Sequence, residues 1–179
     1  MITDNIDGWF NFHGLYLNTV NNASEPAHFV EVGTWKGKSA AYMAEVIKVS
    51  GKDIKFDCVD TWLGSEEHVD DPDVINNTLY ETFMNNMAPL KGFFNPLRMP
   101  SVDAANFYRN QSLDFVYIDA AHDYDNVRAD IEAWWPKVKI GGTIAGHDIF
   151  HPPVKQAVLD VLGEYHEAYN SWIVNKNQP

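Results

Sequence analysis

The segment EVGTWKGKS, residues 31–39, joins the apolar run 28–34 to an amphipathic stretch. In an open α/β sheet such a junction lies at the carboxyl end of a strand, where ligands bind. A dinucleotide loop needs G-x-G-x-x-G to bring the backbone against a pyrophosphate. Here the glycines are Gly33 and Gly37, with Trp35 between them, so that spacing fails. A phosphate-cradling loop needs G-x-x-x-x-G-K-[ST], and Gly33 to Gly37-Lys38-Ser39 falls one residue short of it. A P-loop-like NTPase is therefore the rival reading, although Glu31 would hold a carboxylate near the phosphate. A cofactor bearing a sulfonium and an ammonium reverses that objection. Glu31 attracts it, Gly33 lets the backbone approach, and Ser39 at the helix start can bind its carboxylate. Glu31 lies inside the apolar run FVEV, where an acid needs a partner.

Further acids close the next strand-like runs. Asp60 ends one of them at a position where a carboxylate can accept both hydroxyls of a ribose, unless it caps a turn. Trp62 either packs on an adenine or belongs to the core. The run 113–120 has the core FVYID and ends at Asp119, followed by Ala-Ala-His122-Asp-Tyr124. His122 is either a proton acceptor or a helix cap. His147 and Asp148 close the segment GGTIAGHD.

EVGTWKGKSA, CVDTW and FVYIDAAHDYDNVRADIEAWWPKVKIGGTIAGHD together resemble class I S-adenosylmethionine (SAM) dependent O-methyltransferases, the group that includes catechol O-methyltransferase. They are most similar to its small-molecule and sugar methyltransferases, marked by I-D-x-x-H-x-Y and then G-G-x-x-x-G-H-D. The resemblance covers about residues 28–150. It implies that Glu31, Gly33 and Ser39 hold the methionine end of SAM, with Thr34 and Trp35 in the same loop. Asp60 would bind the ribose beside Thr61 and Trp62, and Ser101 would lie near the adenine. Asp119 would meet the methyl donor and, with Asp148, ligate a divalent metal such as Mg or Mn. His147 stands where several metal-using relatives carry a carboxylate, and magnesium tolerates imidazole poorly. His122 falls where such enzymes place the general base. An acid and a histidine in place of an N/D-P-P-Y motif suit deprotonation of an alcohol or phenol. A SAM-binding module without catalysis is the remaining alternative.

These residues need a scaffold. Apolar runs alternate with amphipathic stretches, which predicts a doubly wound, mostly parallel α/β sheet. Strands are expected at 28–34, 55–62, 96–99, 113–120 and 142–147, and helices at 37–49, 75–87, from 101, 123–135 and 154–163. Gly51 is the expected stop of the helix at 37–49. The tail YHEAYNSWIVNKN reads as a terminal antiparallel hairpin, which completes a seven-stranded, Rossmann-like methyltransferase sheet. The spacing of Trp9, Phe12, His13, Tyr16 and Val20 predicts an amphipathic N-terminal helix within residues 1–27, either packed on the sheet or serving as a lid. The acidic loop carries Glu66, Glu67, Asp70, Asp71 and Asp73. Residues 1–179 read as one domain without repeats or linkers. The substrate pocket is then built either from the N-terminal segment and loops 63–75 and 147–153, or with a second subunit of a homo-oligomer.

Composition narrows the partners. The net charge of −12 disfavours nucleic acid and points to a small-molecule substrate. No apolar run approaches the length of a membrane span, and no basic, apolar leader opens the chain, so a cytoplasmic location is expected. Cys58, the single cysteine, excludes an internal disulfide and reads as a buried structural thiol.

Overall fold

A computed structural model describes residues 2–65 and 68–177. Glu66 and Glu67 of the acidic loop lie outside the described residues. Five parallel strands, β1 (Ala27–Val32), β2 (Ile54–Asp60), β3 (Asn95–Arg98), β4 (Leu113–Ile118) and β5 (Val138–Gly146), form the sheet with an antiparallel hairpin, β6 (His166–Ala168) and β7 (Ser171–Asn175). The strand order is β3-β2-β1-β4-β5-β7-β6. The hairpin turns on Tyr169 and Asn170, both at left-handed φ (56° and 57°), as a two-residue turn requires. No helix among the described residues is long and apolar enough to cross a membrane.

Strand alternation sorts the core into two layers. Phe29, Phe56, Phe115 and Tyr117 face α1 (His13–Asn22), α2 (Lys38–Ser50), α3 (Pro72–Ile75) and α4 (Leu79–Met87), with α1, α2 and α4 contributing most of that layer's buried side chains. Val30, Val32, Val116 and Ile144 face α5 (Ser101–Ala105), α6 (Tyr124–Trp134) and α7 (Pro152–Leu162). Glu31 shares its face with Phe29 and so points toward α1 and α2. Gly51 ends α2 at φ 67°, as expected.

Several elements depart from their expected bounds. The helix expected at 75–87 is two helices: Asp71 caps α3 one residue before Pro72, and Asn77 at φ 56° breaks the chain before α4. The N-terminal helix begins at His13, so Trp9 lies outside it and outside the apolar stripe assigned to it. Strands β1 and β4 end at Val32 and Ile118, which leaves Gly33 and Asp119 as the first residues beyond them. Strand β5 starts at Val138, four residues before the expected 142, with a register irregularity between Leu113 and Phe115.

Candidate active site

Beyond β1 the chain turns to α2 on one face, and beyond β4 to α6 on the other. The crevice between two such neighbouring strands is the usual ligand position in an open α/β sheet. Gly33 holds its floor together. Its N–H donates to Val59 O at 2.9 Å, and the Asp119 N–H donates to Val32 O at 2.8 Å. A Cβ on Gly33 would lie 2.1 Å from the Asp119 carbonyl oxygen, and its φ is +85°. Both facts require glycine there. Two cavities open on either side of this contact, each of about 360 Å³. Gly33, Trp35, His68, Asp119 and Ala120 line both.

The first cavity has Asp60, Thr61, Met99 and Ser101 in its wall. Burial raises the Asp60 carboxyl above its ordinary range, and backbone amides draw it back. The amides of Trp35 and Trp62 donate to its two oxygens at 2.9 and 2.8 Å. Asp60 thus shapes the loop as a turn cap would, while still lining the cavity. The Trp134 indole donates to Ser101 Oγ at 2.9 Å. Trp62 lines neither cavity: it is 1% exposed, packs on Tyr80 and Phe83, and donates its indole N–H to Trp35 O at 2.9 Å. That corrects the adenine-stacking role in favour of core. Trp35 instead holds the cavity side, stacked on His68 at 3.8 Å between centroids.

Below the loop, Glu31 is 1% exposed, and Ser39 Oγ donates to its Oε1 at 2.5 Å. Its Oε2 and the neighbouring Tyr16 hydroxyl are both buried without a hydrogen-bond partner. Burial pushes the Glu31 carboxyl up to about 8, aided by Asp119 and Asp60 and opposed by the Ser39 and Tyr16 hydroxyls. Glu31 therefore holds its proton near neutral pH, unlike the standing anion expected. The Ser39 hydroxyl, expected to bind a cofactor carboxylate, is spent on Glu31. Thr34 Oγ1, also buried and unpartnered, lines the second cavity.

The second cavity gathers Asp119, His122, His147, Asp148 and His151. His122 Nε2 and His147 Nδ1 both meet Asp148 Oδ2, at 2.8 and 3.0 Å. Burial alone would raise the Asp148 carboxyl, but these two imidazoles hold it well below the ordinary carboxylate range. Burial raises the Asp119 carboxyl to about 6; His147 and His122 oppose that rise and Asp148 adds to it. His151 stacks on His122 at 5.4 Å. Asp119, His122 and Asp148 bring one ligand atom each within 4.8 Å of one another. The expected third ligand, His147, is not in that group. Its Nε2 meets Asn11 Oδ1 at 2.9 Å and its Nδ1 faces Asp148. The histidine that completes the donor set is His122, the same residue expected to act as base.

Sequence reasoning offered the N-terminal segment and loop 63–75 as pocket walls but did not single out four contributors. Trp9 and Asn11 reach the second cavity from the N-terminal segment. His68 sits between the cavities although no motif marks it. Lys36 is buried beneath the loop and pairs with Asp71 at 2.8 Å, Asp73 at 3.1 Å and Asp7 at 3.6 Å. The only available signal was that Lys36 lies in the glycine loop while the acids cluster at 70–73. That pairing does not bear on the phosphate-loop alternative, whose lysine is Lys38 at the second cavity; against it stands Glu31, an acid beneath the loop.

The family model described as "Methyltransferase domain" matches residues 30–149. An uncharacterized protein of Sinorhizobium fredii, y4gI, is 30% identical over 138 residues, 76% of this chain. The chain spans only 14% of the length of that curated relative. The O-methyltransferase NovP is similar in structure, with a TM-score of 0.72 at 17% identity over 93% of this chain and 79% of that one. CalS11, a TDP-rhamnose 3′-O-methyltransferase, has a TM-score of 0.64 at 13% identity over 93% and 77%. MycE methyltransferase, in complex with Mg and S-adenosylhomocysteine (SAH), has a TM-score of 0.58 at 15% identity over 92% of this chain and 49% of that one. At these identities the likeness to solved structures is one of fold. With the family model spanning strands β1 to β5, this chain belongs to the methyltransferase-domain family and carries the class I SAM-dependent methyltransferase fold.

Proposed function

We propose that this chain transfers the methyl group of SAM to a hydroxyl of a small molecule or sugar. One observation carries the reading: two cavities meet at the Gly33–Asp119 contact, one beside a ribose-type acid and the other beside a carboxylate-bound imidazole. The residues present fit SAM. Glu31 Oε2 is a buried acceptor with no partner, and the cradle at Gly33 admits no side chain. When bound, SAM supplies the electrophilic methyl. Asp60 holds the ribose, Glu31 answers the ammonium, and the seam at Asp119 aligns donor with acceptor. Such alignment is the largest contribution a methyltransferase can make. His122 takes the hydroxyl proton, and Asp148 orients its ring and stabilises the imidazolium formed. The structural neighbours named as O-methyltransferases act on hydroxyls, which agrees with this division of labour.

Asp119, His122 and Asp148 also fit a divalent cation. Two carboxylates and an imidazole suit manganese better than magnesium. A bound ion would lower the pKa of the acceptor hydroxyl. In that state His122 is a ligand, and the base role passes from it.

Calorimetry with SAH, ATP and NAD tests the reading. SAH should bind, with the other two silent, and methyl transfer should follow on a hydroxyl panel. Tight ATP binding with no SAH signal would sink it. SAH binding with no transfer to any hydroxyl would leave a binding module.

A further inference from the structure

Trp9 is 79% exposed, yet it lines the cavity that holds His122 and Asp148. Its neighbours keep it there. Phe12 is fully buried against Tyr16 and Tyr117, and Phe10 packs on Tyr16 and Tyr42. These two rings anchor the segment in the core, while Trp9 and Asn11 line the cavity. The segment is fastened on both sides of Trp9: Asp7 lies 3.6 Å from Lys36, and Asn11 bonds His147 at 2.9 Å. A large indole held open beside a proton-accepting pair is a platform for a ring, because aromatic faces gain from stacking as well as from burial.

Charge decides what the ring can carry. Asp7, Asp119 and Asp148 line this cavity with Lys38 and four imidazoles, two of them paired with Asp148, and no arginine is among the described lining residues. Lys36, the next cation in the chain, is turned to three aspartates. Proteins hold phosphates with arginine or lysine clusters, and this cavity offers one lysine beside three carboxyl groups. Building on the proposed hydroxyl methylation, we infer that the acceptor is an unphosphorylated ring compound that lays a ring face on Trp9.

The test offers the full chain two sets of probes with SAM: catechol and 4-nitrophenyl glycosides, and then glycosyl phosphates and a nucleoside-diphosphate sugar. SAH release reports turnover, and saturation-transfer NMR on the SAH complex reports ring contact without turnover. Turnover and ring contact should be confined to the uncharged set. Trp9→Ala should raise KM about tenfold, the size of one stacking contact. Trp9→Tyr should stay near wild type, and calorimetry should give the same SAH affinity for all three proteins. Preference for the phosphorylated set, no ring contact from any uncharged probe, or a Trp9→Ala variant with wild-type KM and ring contact would overturn the inference. Wild-type protein that fails to bind SAH would refute the methyltransferase reading instead.

Discussion

Replacing Glu31 with glutamine should stabilise the ligand-free protein and weaken its hold on the donor. Glu31 is fully buried, and its carboxyl sits at about 8 in the fold against 4.5 in water. Below pH 4.5 the group is protonated in both folded and unfolded chains, and its burial is at its least costly. Between 4.5 and 8 the unfolded chain releases the proton that the folded chain keeps, so stability falls as pH rises. Above 8 both states are ionised and the loss is complete. At about 1.4 kcal/mol for each pH step, the cost reaches about 3 kcal/mol at pH 7 and about 5 kcal/mol above pH 8. The glutamine amide removes that cost while keeping both contacts. Its oxygen accepts from Ser39, and its NH₂ takes the place of Oε2 beside the Tyr16 hydroxyl. Urea unfolding at pH 5, 7 and 8.5, with m unchanged, reads the difference as a shift in midpoint. The advantage of Glu31→Gln should grow steadily across the three pH values. A pH-independent difference, or a wild type more stable than the variant at pH 8.5, refutes the reasoning. SAH affinity should fall about tenfold or more, because the amide cannot ionise when the cofactor's ammonium arrives, as the carboxyl can.

Asp60→Ala should weaken SAH binding by about 1.5–3 kcal/mol, the range for hydrogen bonds to a charged group, as calorimetry will show. Part of that loss is indirect, because the amides of Trp35 and Trp62 lose their acceptor. His122→Ala should cut kcat by roughly 10²–10⁴ with SAH affinity unchanged. Titrating manganese into chelated wild type and variant then separates base from ligand, since a base loss leaves metal affinity intact and a ligand loss does not. Lys36→Met should lower stability by about 1–2 kcal/mol in urea unfolding, since Asp71 and Asp73 lose their counter-charge but regain water.

The legible part of this molecule is the part whose physics is local. Gly33 follows β1, Asp60 ends β2 and Asp119 follows β4, so the carboxyl ends of apolar runs place all three. The hairpin turn at Tyr169-Asn170 was marked by the alternation around it. What local pattern could not reveal was which partner each side chain would choose. Glu31 was recognisable as an acid in need of a partner. Its neutrality comes from α1 and α2 closing over it, a packing fact with no pattern in the sequence. Trp62 read equally as ligand platform or core, and the left-handed turn that buries it against Phe83 settled the matter. His147 sits beside Asp148 in sequence, which made it the natural ligand. Asn11 captures its far nitrogen from a segment near the other end of the chain.

The same division separates the two halves of the cleft. The donor half is built from the ends of consecutive strands, and each of its residues is tied to a sheet whose register is set by buried aliphatic runs. The acceptor half is built where Asp7 to Asn11 meet His147 to His151, across contacts such as Asn11–His147 that join distant parts of the chain. Few core side chains constrain those contacts: Phe10 and Phe12 anchor the segment, while Trp9 and Asn11 are exposed. The wall that selects the acceptor can therefore change without disturbing the crevice that holds the donor. Donor affinity should accordingly be insensitive to substitutions at Trp9, and acceptor choice sensitive to them. That asymmetry is what a fold needs if it is to methylate many different acceptors with one cofactor.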